Sequence, residues 1–149
     1  MTYTYLAYEG NPYQLAVGVI VYDQKQDRVL VVEDRDGNFL LPNEPVRDSE
    51  NLRETVHRCL VKTAGMIGIT SCFIGSAHSW NKQDDYEQTT LYHLLTTPIH
   101  QEDQPPPEKE FPEHLLCWLS PEQAEEFLGE GEAQMVRRAM RWILTPATL

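Results

Sequence analysis

From Leu15 to Tyr22 (LAVGVIVY) the chain is apolar at nearly every position and rich in β-branched residues, which predicts a buried strand. Arg28 to Glu33 (RVLVVE) predicts a second. The polar stretch Asp23–Asp27 between them predicts a hairpin turn, and Asp34–Asn38, with its Asp-Gly pair, predicts another. Phe39-Leu40-Leu41 is a short apolar strand that Pro42 stops, and residues 42–48 follow as a loop.

The period then changes. Leu52, Val56, Cys59/Leu60 and Thr63 recur at three- and four-residue spacing, predicting a helix from about Glu50 to Ala64 with one packed side. Ser49 is placed to cap its start, and Gly65 suits the left-handed position past its end. Ile67–Trp80 and Gln88–Thr97 are expected as strands on either side of a polar turn. Residues 98–113 contain Pro105-Pro106-Pro107 and predict a stiff connector. His114–Leu119 is a last strand. Ser120-Pro121-Glu122-Gln123 starts a helix ending near Gly129, and a final helix runs from about Glu132 to Leu144. Strands, helix, strands, helices describe one mixed α/β domain over residues 1–149, with 1–13 as an N-terminal extension or edge strand.

Composition narrows the function classes. The chain has 149 residues, enough for one domain with its own core. No apolar run is long enough to span a membrane. Met1-Thr2-Tyr3-Thr4-Tyr5 lacks the basic and apolar regions of a secretory signal. Cys59, Cys72 and Cys117 form neither a disulfide framework nor a zinc pattern, so a cytoplasmic location is expected. The five histidines show no zinc spacing either. The net charge is −11, of which residues 101–132, with ten acids and Lys109 as the one base, carry −9. That acidic segment argues against duplex nucleic acid, whose phosphates need clustered cations.

The chemistry is concentrated in Glu44–Met66, EPVRDSENLRETVHRCLVKTAGM. This segment resembles the box of the Nudix hydrolase superfamily, Gly-x5-Glu-x7-Arg-Glu-apolar-x-Glu-Glu-x-Gly-apolar. Glu50 falls at the first glutamate, Arg58 at the arginine, Leu60 at the apolar position and Gly65 at the late glycine, without insertion. Upstream, LAVGVIVYDQKQDRVLVVEDRDGNFLLP is similar to the family's opening strands. Downstream, CWLSPEQAEEFL is similar to its Trp-ending strand and following helix. The resemblance implies an α/β/α sandwich with a mixed sheet. It further implies that Glu50 and Arg58 pair to hold the loop–helix–loop together.

Four further box positions depart from the pattern. Glu44 stands at the first glycine, Cys59 at the glutamate after the arginine, and Lys62-Thr63 at the Glu-Glu pair. In the family those three glutamates hold divalent metal, which polarises a diphosphate for attack by water. Positions 59, 62 and 63 share one helix face, so the change takes that face from −3 to about +1. An ammonium within ~5 Å of a dication repels it by roughly 6–7 kcal/mol at an effective dielectric of 20. No standard metal cluster and no cofactor are therefore expected.

Three functions remain open from these residues. The first is a degenerate Nudix-fold protein that binds a nucleotide, a nucleoside-diphosphate compound or a protein partner through the former cleft, with Arg35, Arg58 and Lys62 as its cations. The second is an active phosphohydrolase of nucleoside diphosphate-X compounds, using Mg²⁺ or Mn²⁺ and relocated carboxylates. Its candidates are Glu44, Glu50 and Glu87, with Asp84 and Asp85 nearby in sequence. The third is an interaction module or homodimer that uses the acidic surface.

Overall fold

The computed structural model describes residues 5–8, 11–67, 71–81, 86–96, 99–100 and 114–144. Its backbone is one eight-stranded mixed sheet and one two-stranded sheet, with three helices. The strands are β1 (Tyr5–Tyr8), β2 (Asn11–Asp23), β3 (Arg28–Asp34), β4 (Phe39–Leu40), β5 (Asn43–Pro45), β6 (Met66–Ile67), β7 (Ser71–Asn81), β8 (Tyr86–Thr96), β9 (Ile99–His100) and β10 (His114–Leu119). The helices are α1 (Leu52–Ala64), α2 (Pro121–Phe127) and α3 (Glu130–Leu144).

The main path through the large sheet is β10-β3-β2-β8-β7. β2 organises it. On one side it runs parallel to β8 from Tyr13↔Glu87 to Tyr22↔Thr96. On the other it pairs in succession with β1, β5 and β3, all antiparallel. A strand covered on both faces has no need of polar alternation, which is why residues 15–22 are apolar nearly throughout. Val17, Val19 and Val21 pack with Val56, Cys59 and Leu60 of α1. Ile20 and Tyr22, on the opposite face, pack with Ala124 of α2 and Val136 and Ala139 of α3. The sheet thus lies between α1 and the α2–α3 pair, the α/β/α sandwich expected.

Gly18 marks a place where backbone and ring approach closely. A β-carbon there would fall 2.5 Å from Tyr92 Cδ1 and 3.2 Å from Thr90 Cγ2. Gly18→Ala is expected to cost about 1–3 kcal/mol through overpacking, read as a lower urea midpoint at unchanged slope.

Several boundaries differ from the sequence expectation. The loop expected over 42–48 contains β5, because Asn43–Pro45 meet Gly18–Ala16 of β2 in antiparallel register. Of the strand expected over Ile67–Trp80, Ile67 belongs to β6, which pairs with β9, residues 71–80 belong to β7, and residues 68–70 lie outside the described residues. β9 falls at the start of the expected Pro-rich connector, and residues 101–113 lie outside the described residues. α3 begins at Glu130, so Glu132 lies inside its first turn.

The cap of α1 is Asn51 rather than Ser49. Asn51 Oδ1 accepts from Glu54 N–H at 2.8 Å, and Glu54 Oε1 accepts from Asn51 N–H at 3.3 Å. Ser49 instead adopts a left-handed φ of 69° in the preceding turn. This also occupies Glu54, which helical spacing places as a partner for Arg58. Asn51→Ala should destabilise the domain by about 1 kcal/mol, while Ser49→Ala should leave its melting temperature almost unchanged. Gly65 closes the helix as expected, at φ 62° with its N–H directed to Leu60 and Val61 carbonyls. No helix among the described residues is long and apolar enough to cross a membrane.

Candidate functional site

β5, α1 and the turn between them bring four charged side chains into one cluster. β5 is held against β2, which presents Glu44 toward α1. Arg58 and Lys62 are four residues apart on that helix, so their side chains emerge one turn apart on the same face. Glu50 comes from the turn just before the helix.

Arg58 joins the pieces. Its Nε donates to Glu50 Oε2 at 2.9 Å and its Nη2 to Glu50 Oε1 at 3.0 Å, a two-point grip on one carboxylate. Nη1 donates to Glu44 Oε2 at 2.8 Å, and Nη2 also donates to the Pro45 carbonyl at 2.6 Å. Glu50 Oε1 further accepts from Thr55 Oγ1 at 2.7 Å and from Arg47 N–H at 3.2 Å. The Arg58 guanidinium, ahead of the opposing effect of burial, holds the Glu50 carboxyl down at about 2. The same partnership raises the pKa of Arg58. The Glu50–Arg58 pairing implied by the resemblance is present.

Glu44 has a second partner. Lys62 Nζ lies 2.9 Å from Glu44 Oε1. The carboxylate is therefore bridged, one oxygen to Lys62 and the other to Arg58, and its side chain is 10 % exposed. Two acids and two bases make the cluster neutral. Glu44 and Lys62 stand at two of the positions where the segment departs from the Nudix pattern, so those two departures meet in one ion pair. They are legible together only once β5 is placed beside α1. Lys62 keeps half its side chain in solvent and has two further N–H donors.

Cys59 is fully buried against the sheet. Burial above all, and then the Glu44 charge, push its thiol up to about 12, so it is held protonated at neutral pH and is no nucleophile. Thr63 borders a small cleft of about 120 Å³ that is also lined by Asp34, Leu40, Pro42, Asn43 and Glu44.

The donor set does not suit a divalent cation. Mg²⁺ and Mn²⁺ want hard anionic oxygens. At the three helix positions this chain offers a buried thiol, an ammonium and a neutral hydroxyl, and the adjacent Glu44 carboxylate is already bound to two cations. Among the described residues no group of three or more His, Cys, Asp or Glu side chains is arranged to hold a metal ion.

The remaining sequence candidates lie elsewhere. Arg35 is exposed in the β3–β4 turn. Glu87 is on β8, with its Oε2 3.6 Å from His78 Nε2 on β7. Of the three candidate carboxylates, Glu44 and Glu50 share Arg58, and Glu87 has a different partner. Asp84 and Asp85 lie outside the described residues. Sequence reasoning missed Glu132, an α3 carboxyl whose two oxygens lie 3.3 and 3.2 Å from Leu41 N–H. Its place in a strongly acidic segment hid it.

The chain belongs to the Nudix family: the family model for the NUDIX domain matches residues 12–139. Solved structures of similar fold include a MutT protein from Methanosarcina mazei Go1, at TM-score 0.71 and 17% identity, covering 93% of this chain and 100% of that one. The Escherichia coli dihydroneopterin triphosphate pyrophosphohydrolase aligns at TM-score 0.63 and 17% identity, over 85% and 95% of the two chains. The NUDIX domain of Shewanella oneidensis NrtR, crystallised with ADP ribose, aligns at TM-score 0.66 and 15% identity, over 87% of each. At these identities the likeness establishes the fold. No curated protein matches the chain by sequence.

Proposed function

We propose that this Nudix domain binds a nucleotide or nucleoside-diphosphate compound in the former active-site cleft without divalent metal, and that it lacks the family's standard metal-dependent hydrolysis. The observation that carries this reading is the Lys62–Glu44 ion pair. A tethered ammonium stands where the family pattern has a metal-binding carboxylate. Its spare donors suit a phosphate oxygen, to which lysine binds as a fixed point charge. Arg58 serves the scaffold, since its Nε and both Nη atoms are committed to Glu50, Glu44 and Pro45. ADP ribose, the compound crystallised with the NrtR domain, is a sugar-linked nucleoside diphosphate and heads the list of probes.

Thermal shift and calorimetry with ADP ribose, NADH, dinucleoside polyphosphates and nucleoside triphosphates, in excess EDTA, test the proposal. At least one compound should raise the melting temperature, and Lys62→Gln should weaken its binding by about tenfold, the loss of one charge-assisted hydrogen bond. Unchanged binding in Lys62→Gln would remove Lys62 from the cleft's function. The same compounds with Mg²⁺ or Mn²⁺ test hydrolysis. Turnover by the parent that disappears in a Glu50→Gln/Glu87→Gln variant would overturn the proposal in favour of relocated carboxylates.

A further inference from the structure

We propose that Glu132 is a proton-sensitive latch that ties helix α3 to the Leu41–Glu44 segment, so that proton uptake at Glu132 alters the setting of the Glu44–Lys62 pair. The carboxyl reaches across the domain from the first turn of α3 to the backbone joining β4 and β5. Leu41 N–H is directed at both its oxygens, 3.3 and 3.2 Å away, and Tyr92 Oη donates to Oε2 at 3.3 Å. Tyr92 stands in this position because Gly18 leaves room for its ring.

From Leu41 the path to the cleft is short and held at each step. The Leu41 side chain is fully buried. Its carbonyl accepts from Asn43 Nδ2 at 2.9 Å, and the Pro42 carbonyl accepts from Val19 N–H at 2.9 Å. Glu44 follows, with Lys62 and Arg58 on its two oxygens.

The chemistry of the contacts makes the latch sensitive to one proton. Both groups that meet the carboxylate do so as donors. An ionised carboxylate accepts from both, whereas a protonated one turns one of its oxygens into a donor. Tyr92 can answer by rotating its hydroxyl to accept, but an amide N–H cannot reverse, so the Leu41 bond is the one weakened. Among the described residues, Tyr92 on β8 is the titratable side chain bonded to Glu132, while β2 brings Gly18 to the Tyr92 ring and the β4–β5 connection brings a backbone amide. Burial raises the Glu132 carboxyl to about 7 against these two donors, which places the change near neutral pH.

The inference is independent of what the cleft binds, and its test contains no ligand. The whole domain, labelled with ¹³C and ¹⁵N, is titrated by NMR from pH 4 to pH 9. The Glu132 carboxyl carbon, the Leu41 amide and the Glu44 carboxyl carbon should share one inflection near pH 7, and that inflection should be absent from Leu41 and Glu44 in Glu132→Gln. Tyr92→Phe, which removes a donor to the charged form, should move the shared midpoint upward and carries the test if Glu132→Gln does not fold. A Leu41 amide or Glu44 carboxyl indifferent to the Glu132 transition, or Glu132 titrating in the ordinary carboxylate range, would overturn the proposal.

Discussion

Arg58→Met is expected to be the most destabilising single change in the candidate site, costing about 3–5 kcal/mol of unfolding free energy. The arginine side chain is 14% exposed and its partners Glu44 and Glu50 only 10% and 13%. Removing it takes two hydrogen bonds from the Glu50 carboxylate, which keeps those from Thr55 and the Arg47 amide, and leaves the Pro45 carbonyl without its short bond. The cost comes from stranded buried charge, so a Glu50→Gln/Arg58→Met double variant should recover part of it. Urea unfolding of the two single variants and the double variant measures this directly. A loss below about 1 kcal/mol in Arg58→Met would place the cluster among weak surface pairs. Lys62, half exposed, should contribute far less to stability, which separates the scaffold role of Arg58 from the binding role proposed for Lys62.

The second large effect is the pH dependence of stability, in which Glu50 and Glu132 pull in opposite directions. The Glu50 carboxyl is held at about 2, below its ordinary 4.5. Its stabilisation is complete above pH 4.5 and is lost as pH falls toward 2, about 3 kcal/mol in all. Glu132 is raised from 4.5 to about 7. The folded state then holds a proton that the unfolded chain gives up, so stability from this group is complete below pH 4.5 and is lost as pH rises through 7, again by about 3 kcal/mol. From these two groups stability should peak near pH 5 and decline toward pH 8. Glu132→Gln should remove the decline, making the variant more stable than the parent at pH 8 and nearly equal to it at pH 5. Glu50→Gln should remove the rise between pH 2 and pH 4.5. Denaturant midpoints across pH 3–8 for the three proteins decide it, and a parent curve that climbs steadily to pH 8 would contradict the Glu132 assignment.

Local patterns located the buried strand at 15–22 by its apolar run, the packed side of α1 by its period, and the start of α2 at Ser120-Pro121 by its capping residues. The box spacing identified Glu50, Arg58 and Gly65, because their roles lie within one helix and its approach. Boundaries were less legible where a tertiary partner intervened. Residues 43–45 carry no strand pattern of their own, and they are a strand because β2 continues past its hairpin and offers them a free edge. Asn51 caps α1 in preference to Ser49 because the turn puts Ser49 at φ 69°, outside the extended conformation that a cap needs.

By itself, then, the sequence determined the family, the alternation of strands and helices, and the non-acidic Cys59, Lys62 and Thr63 on one face of α1. Tertiary structure alone decided what became of that face. Glu44 and Arg58 are 14 residues apart in the chain, and Glu132 is 40 residues from Tyr92 and 91 from Leu41. Residue types at such distances say which groups carry charge, but not which will be buried together. The energy of a charge depends on its surroundings more than on its identity. The sheet that brings β5 beside α1 turns two unrelated departures, Glu44 and Lys62, into one neutral pair. The packing of α3 over Tyr92 turns an acid from a solvated-looking segment into a half-buried one, whose carboxyl is pushed up to about 7 by that burial.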